Sequence, residues 1–335
     1  MKKTMIALAA VAAVGAASAQ VSITGYMSAG YIVYTAPGTG AANGGLTVDT
    51  SELYIKSSED IGGGYKASGA MGLGGLERAT GTTNTGYGQY AMYGTNFDIK
   101  IAGPMGSIAT GNTKSPDYVS GGLGGVGVLY YDFGDYGNFS GRSRRDYFTV
   151  TAPVGPVTVT ASHQEAGNVA GNGGAEGSTS QRISIGAVTY AAGPLTANAT
   201  YFTYDNEVAK SDATSSNVLR LAGSYDLGMA KIGSGYQKAT VSSGGTSTQF
   251  AIAGTVPMGG LTLGAIYGTR EISGMNASLI AANGSYTNTG VSANYQFSKQ
   301  TGLIGQYTTY DGIKSATNAA PAKGSLALVL LTHSF

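Results

Sequence analysis

From residue 20 onward, apolar and polar side chains alternate with a period of two. Val21, Ile23, Met27, Ala29, Tyr31 and Val33 occupy one parity and Ser22, Thr24, Ser28 and Gly30 the other, with Tyr26, Ile32 and Tyr34 as exceptions. Successive side chains of an extended chain point to opposite faces, so this run predicts a strand with one apolar face. The pattern returns in Tyr65, Ala67, Met71 and Leu73; in Phe97, Ile99 and Ile101; in Val157, Val159 and Ala161; in Ile183, Ile185 and Ala187; and in Leu261, Leu263, Ala265 and Tyr267. Helical spacing fits none of them.

Short turn clusters separate the runs: 59–64, 103–106, 153–156, 191–194, 226–229, 257–260 and 298–301. Longer polar, glycine-rich stretches lie near 36–47, 76–88, 112–141, 166–180, 205–216, 242–247, 272–283 and 312–324. Seven short turns and eight long loops connect sixteen strands and put both chain ends on the short-turn side. An even strand number with that asymmetry is the pattern of a bacterial outer-membrane barrel. A soluble sandwich would also bury an apolar parity, but nothing in it requires the loops at one end to be the longer ones. Tyr31, Tyr34, Tyr201, Tyr225, Tyr267, Tyr295 and Tyr307 fall near strand ends, as aromatic girdles do. The expected fold is therefore all-β, a 16-stranded antiparallel transmembrane barrel with long extracellular loops and short periplasmic turns.

The first residues read differently. Lys2 and Lys3, an apolar stretch from Met5 to Ala17 and the small-residue site Ala17-Ser18-Ala19 make a cleavable export signal over 1–19, leaving 20–335 as the barrel domain. The stretch is short of the roughly 20 apolar residues of a membrane-spanning helix.

Composition supports an exported β protein without redox chemistry: 55 Gly, 23 Tyr and no Cys in 335 residues. Losing Lys2 and Lys3 takes Lys plus Arg from 19 to 17 against 18 Asp plus Glu, so no electrostatic case for nucleic acid survives. His163 and His333 are the only histidines, and no Ser-His-Asp spacing stands out, so neither a zinc site, a cofactor site nor an enzyme centre is expected. The Gly-x-Gly-x-x-Gly of 122–127 follows no strand-to-helix pattern and is not read as a dinucleotide site.

Four stretches carry a family likeness. Residues 51–67, Ser-Glu-Leu-Tyr-Ile-Lys-Ser-Ser-Glu-Asp-Ile-Gly-Gly-Gly-Tyr-Lys-Ala, resemble the second strand, acidic turn and third strand of the general porins of Gram-negative bacteria, in their beta-proteobacterial form. Residues 294–301, Asn-Tyr-Gln-Phe-Ser-Lys-Gln-Thr, resemble a turn near that family's end, and Leu330-Leu331-Thr332-His333-Ser334-Phe335 its closing strand. Residues 96–111 are similar to the hairpin before its constriction loop. The resemblance implies a homotrimer that passes small hydrophilic solutes and ions by passive diffusion, with Phe335 read by the barrel-assembly machinery. It further implies that the third long loop, 112–141, folds into the lumen, with Gly121, Gly124 and Gly127 bending the backbone and Tyr130, Tyr131, Asp132 and Asp135 at the constriction. Glu52, where the family often carries a basic residue, and Gln300, in place of an Arg, depart from the pattern.

If apolar residues point outward, parity sends Lys56, Lys66, Lys100, Arg145, Arg182, Arg220, Lys231 and Arg270 to the lumen against Glu52 and Asp98. Arg142 and Arg144 stand beside Arg145, with Asp132 and Asp135 expected to face them. Rings of Arg and Lys favour anions, so a weak anion preference is expected. The bland reading of each basic residue is a solvated charge or a contact with outer-membrane lipid and lipopolysaccharide. A substrate-specific channel and a non-channel barrel acting as an adhesin or structural protein are the alternative functions.

Overall fold

The computed structural model describes residues 20–35, 42–75, 93–114, 126–134, 139, 144–166, 181–206, 215–241, 244–274, 283–312 and 323–335. The leader 1–19, Gly121, Gly124, Asp135 and Arg142 lie outside the described residues. Sixteen strands follow in chain order: β1 Gln20–Thr35, β2 Ala42–Gly62, β3 Tyr65–Gly74, β4 Tyr93–Gly103, β5 Gly106–Lys114, β6 Arg144–Val154, β7 Val157–Ala166 and β8 Gln181–Ala192; then β9 Leu195–Asn206, β10 Ser215–Asp226, β11 Lys231–Val241, β12 Thr246–Met258, β13 Leu261–Ser273, β14 Gly284–Gln296, β15 Thr301–Asp311 and β16 Lys323–Ser334. Every strand pairs antiparallel with its sequence neighbours, and β1 pairs with β16 to close the barrel. No helix among the described residues is long and apolar enough to cross a membrane.

Closure is what allows a sheet to sit in hydrocarbon. Water is absent there, and each unpaired N–H or C=O costs several kcal/mol, so an open sheet edge is excluded. The seam runs from Tyr26 opposite Ser334 to Thr35 opposite Ser325. The chain ends finish it: Gly25 N–H donates to the Phe335 carbonyl at 2.9 Å, and Phe335 N–H returns to the Gly25 carbonyl at 3.1 Å. The Phe335 ring lies where a side chain on Gly25 would be, so that glycine makes room for the terminal aromatic.

Turn chemistry explains the short-turn end of the barrel. Gly63, Gly155, Gly193 and Gly259 hold positive φ, a region most side chains avoid, and this permits the tightest connections. All seven expected short turns appear at those places. Strand β2 is longer than expected at both ends. Strand β2 starts at Ala42, so the loop expected over 36–47 is shorter, and it extends to Gly62, so Glu59 and Asp60 belong to the strand.

The register fixes which parity faces out. Val21, Ile23, Met71, Ile99, Ile101, Leu263, Tyr267, Val329 and Leu331 are exposed on the outside, whereas Ser28 is buried inside at 2% exposure. Strand β8 reverses the expectation. Ile183 and Ile185 are buried opposite Gln164 and Ser162, while Ser184 and Gly186 face outward. Ile183 and Ile185 join Phe202, Val218 and Ala239 in an apolar cluster on the inner wall. The rule that apolar means outward fails there because the inner surface carries an apolar patch of its own.

The face assignment is testable by charge. Ile99 points out and Thr149 points in. Ile99→Arg should cost about 2–4 kcal/mol, the range for Arg near the bilayer midplane, and Thr149→Arg far less. Denaturant-induced unfolding in lipid vesicles measures both.

Candidate pore and its constriction

The inner face is the other parity of every strand, and a large part of it is polar. Ser58, Ser68, Ser107, Thr149, Thr151, Thr160 and Ser162 run across β2 to β7. Thr149 and Ser162 share a hydrogen bond of 2.7 Å, and Thr151 and Thr160 one of 3.3 Å. Hydroxyls satisfied in cross-strand pairs give a hydrophilic wall with little net charge.

The opposite sector carries an apolar cluster, and the third long loop packs on it. Val126, Val128, Phe133 and Phe139 of the loop share one buried cluster with Ala251, Ala253, Ile266, Tyr310, Leu326, Leu328 and Leu330 of the wall. Ile32 and Tyr34, exceptions to the alternation in β1, pack against this cluster. Burying a Val, Leu or Phe side chain contributes about 1.5–3 kcal/mol, so the cluster holds the loop to the wall. Glycines shape the seat. A Cβ added at Gly268 would lie 2.8 Å from the Phe139 ring and 2.9 Å from Phe133, and one at Gly290 would lie 2.9 Å from Leu129.

Polar anchors fix the loop at both sides of this cluster. The Gln306 side-chain oxygen accepts the N–H groups of Tyr130 at 2.7 Å and Tyr131 at 3.1 Å, and its amide donates to the Tyr131 carbonyl at 2.7 Å. Ser292 donates to the Val128 carbonyl. On the other side the Tyr130 hydroxyl donates to Asp49 at 2.5 Å, the Tyr131 hydroxyl donates to the other Asp49 oxygen, and Thr50 donates to Asp49 at 2.9 Å. Burial pushes the Tyr130 hydroxyl above its ordinary pKa and Asp49 adds to the shift, so it remains a neutral donor. Asp49, Gln306 and Ser292 were not singled out by the sequence.

The structure places the other sequence candidates as follows. Lys56, Lys66 and Lys100 are exposed on the inner parity of β2, β3 and β4, and Lys231 lies on that of β11. Asp98 accepts the Tyr147 hydroxyl at 3.1 Å, and Glu52 accepts that of Tyr54. Arg145 is inward and 8% exposed, and its buried Nε and Nη1 have no hydrogen-bond partner among the described residues. Arg220 is buried inward, bonded through Nε to Gln237 at 2.9 Å and stacked on Phe202 at 5.2 Å. Arg270 faces inward from β13 and donates to Ser247 at 2.9 Å. Arg144 donates to Asn96 at 2.8 Å, and the Asp132 carboxylate accepts the N–H of Gly134 at 2.7 Å. Gly127 is exposed on the loop. Arg182 requires correction: on β8 it stands opposite Glu165 and Asp205 on the outer face, with its Nε 3.7 Å from Glu165. The parity reversal of β8 carries it outward.

A model of the Gram-negative porins matches residues 5–314. The chain belongs to that family. Among solved structures it is similar to the anion-selective porin from Comamonas acidovorans, at 17% identity over 95% of this chain and 100% of that one, with a TM-score of 0.68. It is also similar to OmpT of Vibrio cholerae, at 14% identity over 95% and 98% of the chains and a TM-score of 0.66, and to a triple mutant of Rhodopseudomonas blastica porin, at 14% over 94% and 100% and 0.62. At these identities the likeness is one of fold. A search of curated proteins finds no match. As a porin the chain is a β-barrel of the outer membrane, in a family of channels.

The glycine seat makes a prediction. Gly268→Leu should push the Phe133 and Phe139 side chains off the wall and change single-channel conductance while the barrel still folds. Planar-bilayer recordings and heat-modifiable electrophoretic mobility read the two effects separately.

Proposed function

We propose that this porin passes small hydrophilic solutes and ions by passive diffusion with a weak preference for anions, without chemistry of its own. The observation that carries the anion preference is the uneven exposure of the two signs. Lys56, Lys66 and Lys100 stand exposed on the inner parity of β2 to β4. The nearby acids Glu52 and Asp98 are half-buried and accept tyrosine hydroxyls, and Asp49 accepts the tyrosines of the loop. A permeating ion therefore meets lysine ammonium groups more directly than carboxylates. The preference is weak because Asp60 and Asp226 also lie on the inner parity, opposite Lys66 and Lys231. The named selectivity of the Comamonas porin agrees in sign.

The finer assignments rest on the resemblance and on this geometry. The loop carrying Gly121, Gly124, Gly127, Tyr130, Tyr131, Asp132 and Asp135 is the constriction. The porin is a homotrimer, it contacts lipopolysaccharide at its outer rim, and residues 1–19 are a cleaved leader. Phe335, paired with Gly25 in the seam, is the assembly signal. A substrate-specific channel would instead show saturable, solute-blocked conductance.

Zero-current potentials across a salt gradient test the selectivity. The expected sign is anion-selective, and a cation-selective sign overturns it. The double variant Lys56→Ala, Lys100→Ala should move the potential toward cation selectivity, whereas Arg182→Ala, on the outer face, should leave it unchanged. Amino-terminal sequencing of the mature protein should begin at Gln20.

A further inference from the structure

Asp49 occupies an irregular point of the wall. Along β1 and β2, Ser28 stands opposite Thr50 and the next residue, Ala29, opposite Val48, so Asp49 is the extra residue of a β-bulge. A bulge places two residues against one and re-aims the side chain between them. Here it directs a carboxylate inward beside Thr50, where both of its oxygens are taken by hydroxyls of the loop. Charge-assisted hydrogen bonds of this kind are roughly twice as strong as neutral ones. The second anchor, Gln306, lies on β15, and between β15 and β2 stand only β16 and β1, the strands of the closing seam. The inner side of β16 at Leu326, Leu328 and Leu330 belongs to the cluster beneath the loop.

We propose that Asp49 is the positioning residue of the constriction, and that residues 128–131 form a strap tied to the wall on both sides of the barrel's closing seam. The strap is held across its width at Tyr130 and Tyr131. Their backbone N–H groups donate to Gln306 on one side and their hydroxyls to Asp49 on the other, so one dipeptide spans both ties. A strap released at either tie no longer keeps the loop in place, and the two ties are coupled rather than independent. This rests on the reading of the loop as the pore constriction.

Single-channel recordings on Asp49→Ala, Gln306→Ala and the double variant test it, beside the full-length wild type. Each single variant should show higher conductance and greater current noise, and the double variant should change no more than the larger single effect. Such non-additivity is the signature of residues acting on one element. Asp49→Asn, which keeps an acceptor oxygen, should recover most of the wild-type conductance. Tyr131→Phe removes one tie while leaving the ring, and should reproduce part of the Asp49→Ala effect even if Asp49→Ala fails to close into a barrel. Unchanged conductance in folded Asp49→Ala overturns the positioning role, and so does an unchanged Tyr131→Phe if Asp49→Ala does not fold. Full additivity overturns the strap. Absence of a channel in the wild type would instead sink the pore reading itself.

Discussion

Every feature of this molecule follows from a backbone that must satisfy itself in a solvent that offers no hydrogen bonds. The sheet can have no edge, so the first and last strands must meet, and the chain ends meet to the last residue, with Phe335 and Gly25 exchanging backbone hydrogen bonds. Closure also inverts the usual placement of apolar residues. Met27, Ile99 and Leu331 face out, because outside is hydrocarbon. Once the outside is apolar, a core in the ordinary sense has to be built elsewhere, and it forms between one sector of the inner wall and a loop laid over it.

That inner core explains why parity alone is an incomplete guide. In a barrel filled only with water, an inward Leu, Ile or Phe loses its hydrophobic stabilisation, so inward apolar residues mark wall that something covers. Ile32 and Tyr34 on β1 and Leu326, Leu328 and Leu330 on β16 fit this account, since the third loop lies over their cluster. Strand β16 is apolar on both faces, with Val329 and Leu331 toward lipid, and carries no alternation of polarity at all over that stretch.

Much of the architecture was legible because turns and alternation are local. Seven short connections and eight long ones follow from glycine, proline and polar clusters, and they set strand number, antiparallel pairing and the common side of the chain ends. The pore was less legible because its residues are brought together by register. Alternation points Arg182 inward only if Ile183 and Ile185 face lipid, and the register turns all three the other way. Asp49 carried no signal, since a bulge is a one-residue irregularity in pairing that alternation does not reveal, and it stands just past the loop expected over 36–47. Gln306 and Ser292 are ordinary polar residues on the inward parity until the loop arrives to use them.

Loop position and ion preference are consequently one problem. The wall carries both signs of charge, and what a passing ion encounters depends on which groups the loop leaves open. Beside β12 to β1 the described part of the loop packs on an apolar cluster of the wall, and at β2 it engages the Asp49 carboxylate through two phenols, withdrawing an anionic group from contact with the aqueous path. Across β2 to β4 three lysines stand exposed among serines. Long-range charge is screened over about 8 Å at physiological ionic strength, so the nearest exposed groups dominate the field felt by the ion. A chain whose net charge is close to zero can therefore favour one sign of ion, through the contrast between groups the fold engages and groups it leaves in water.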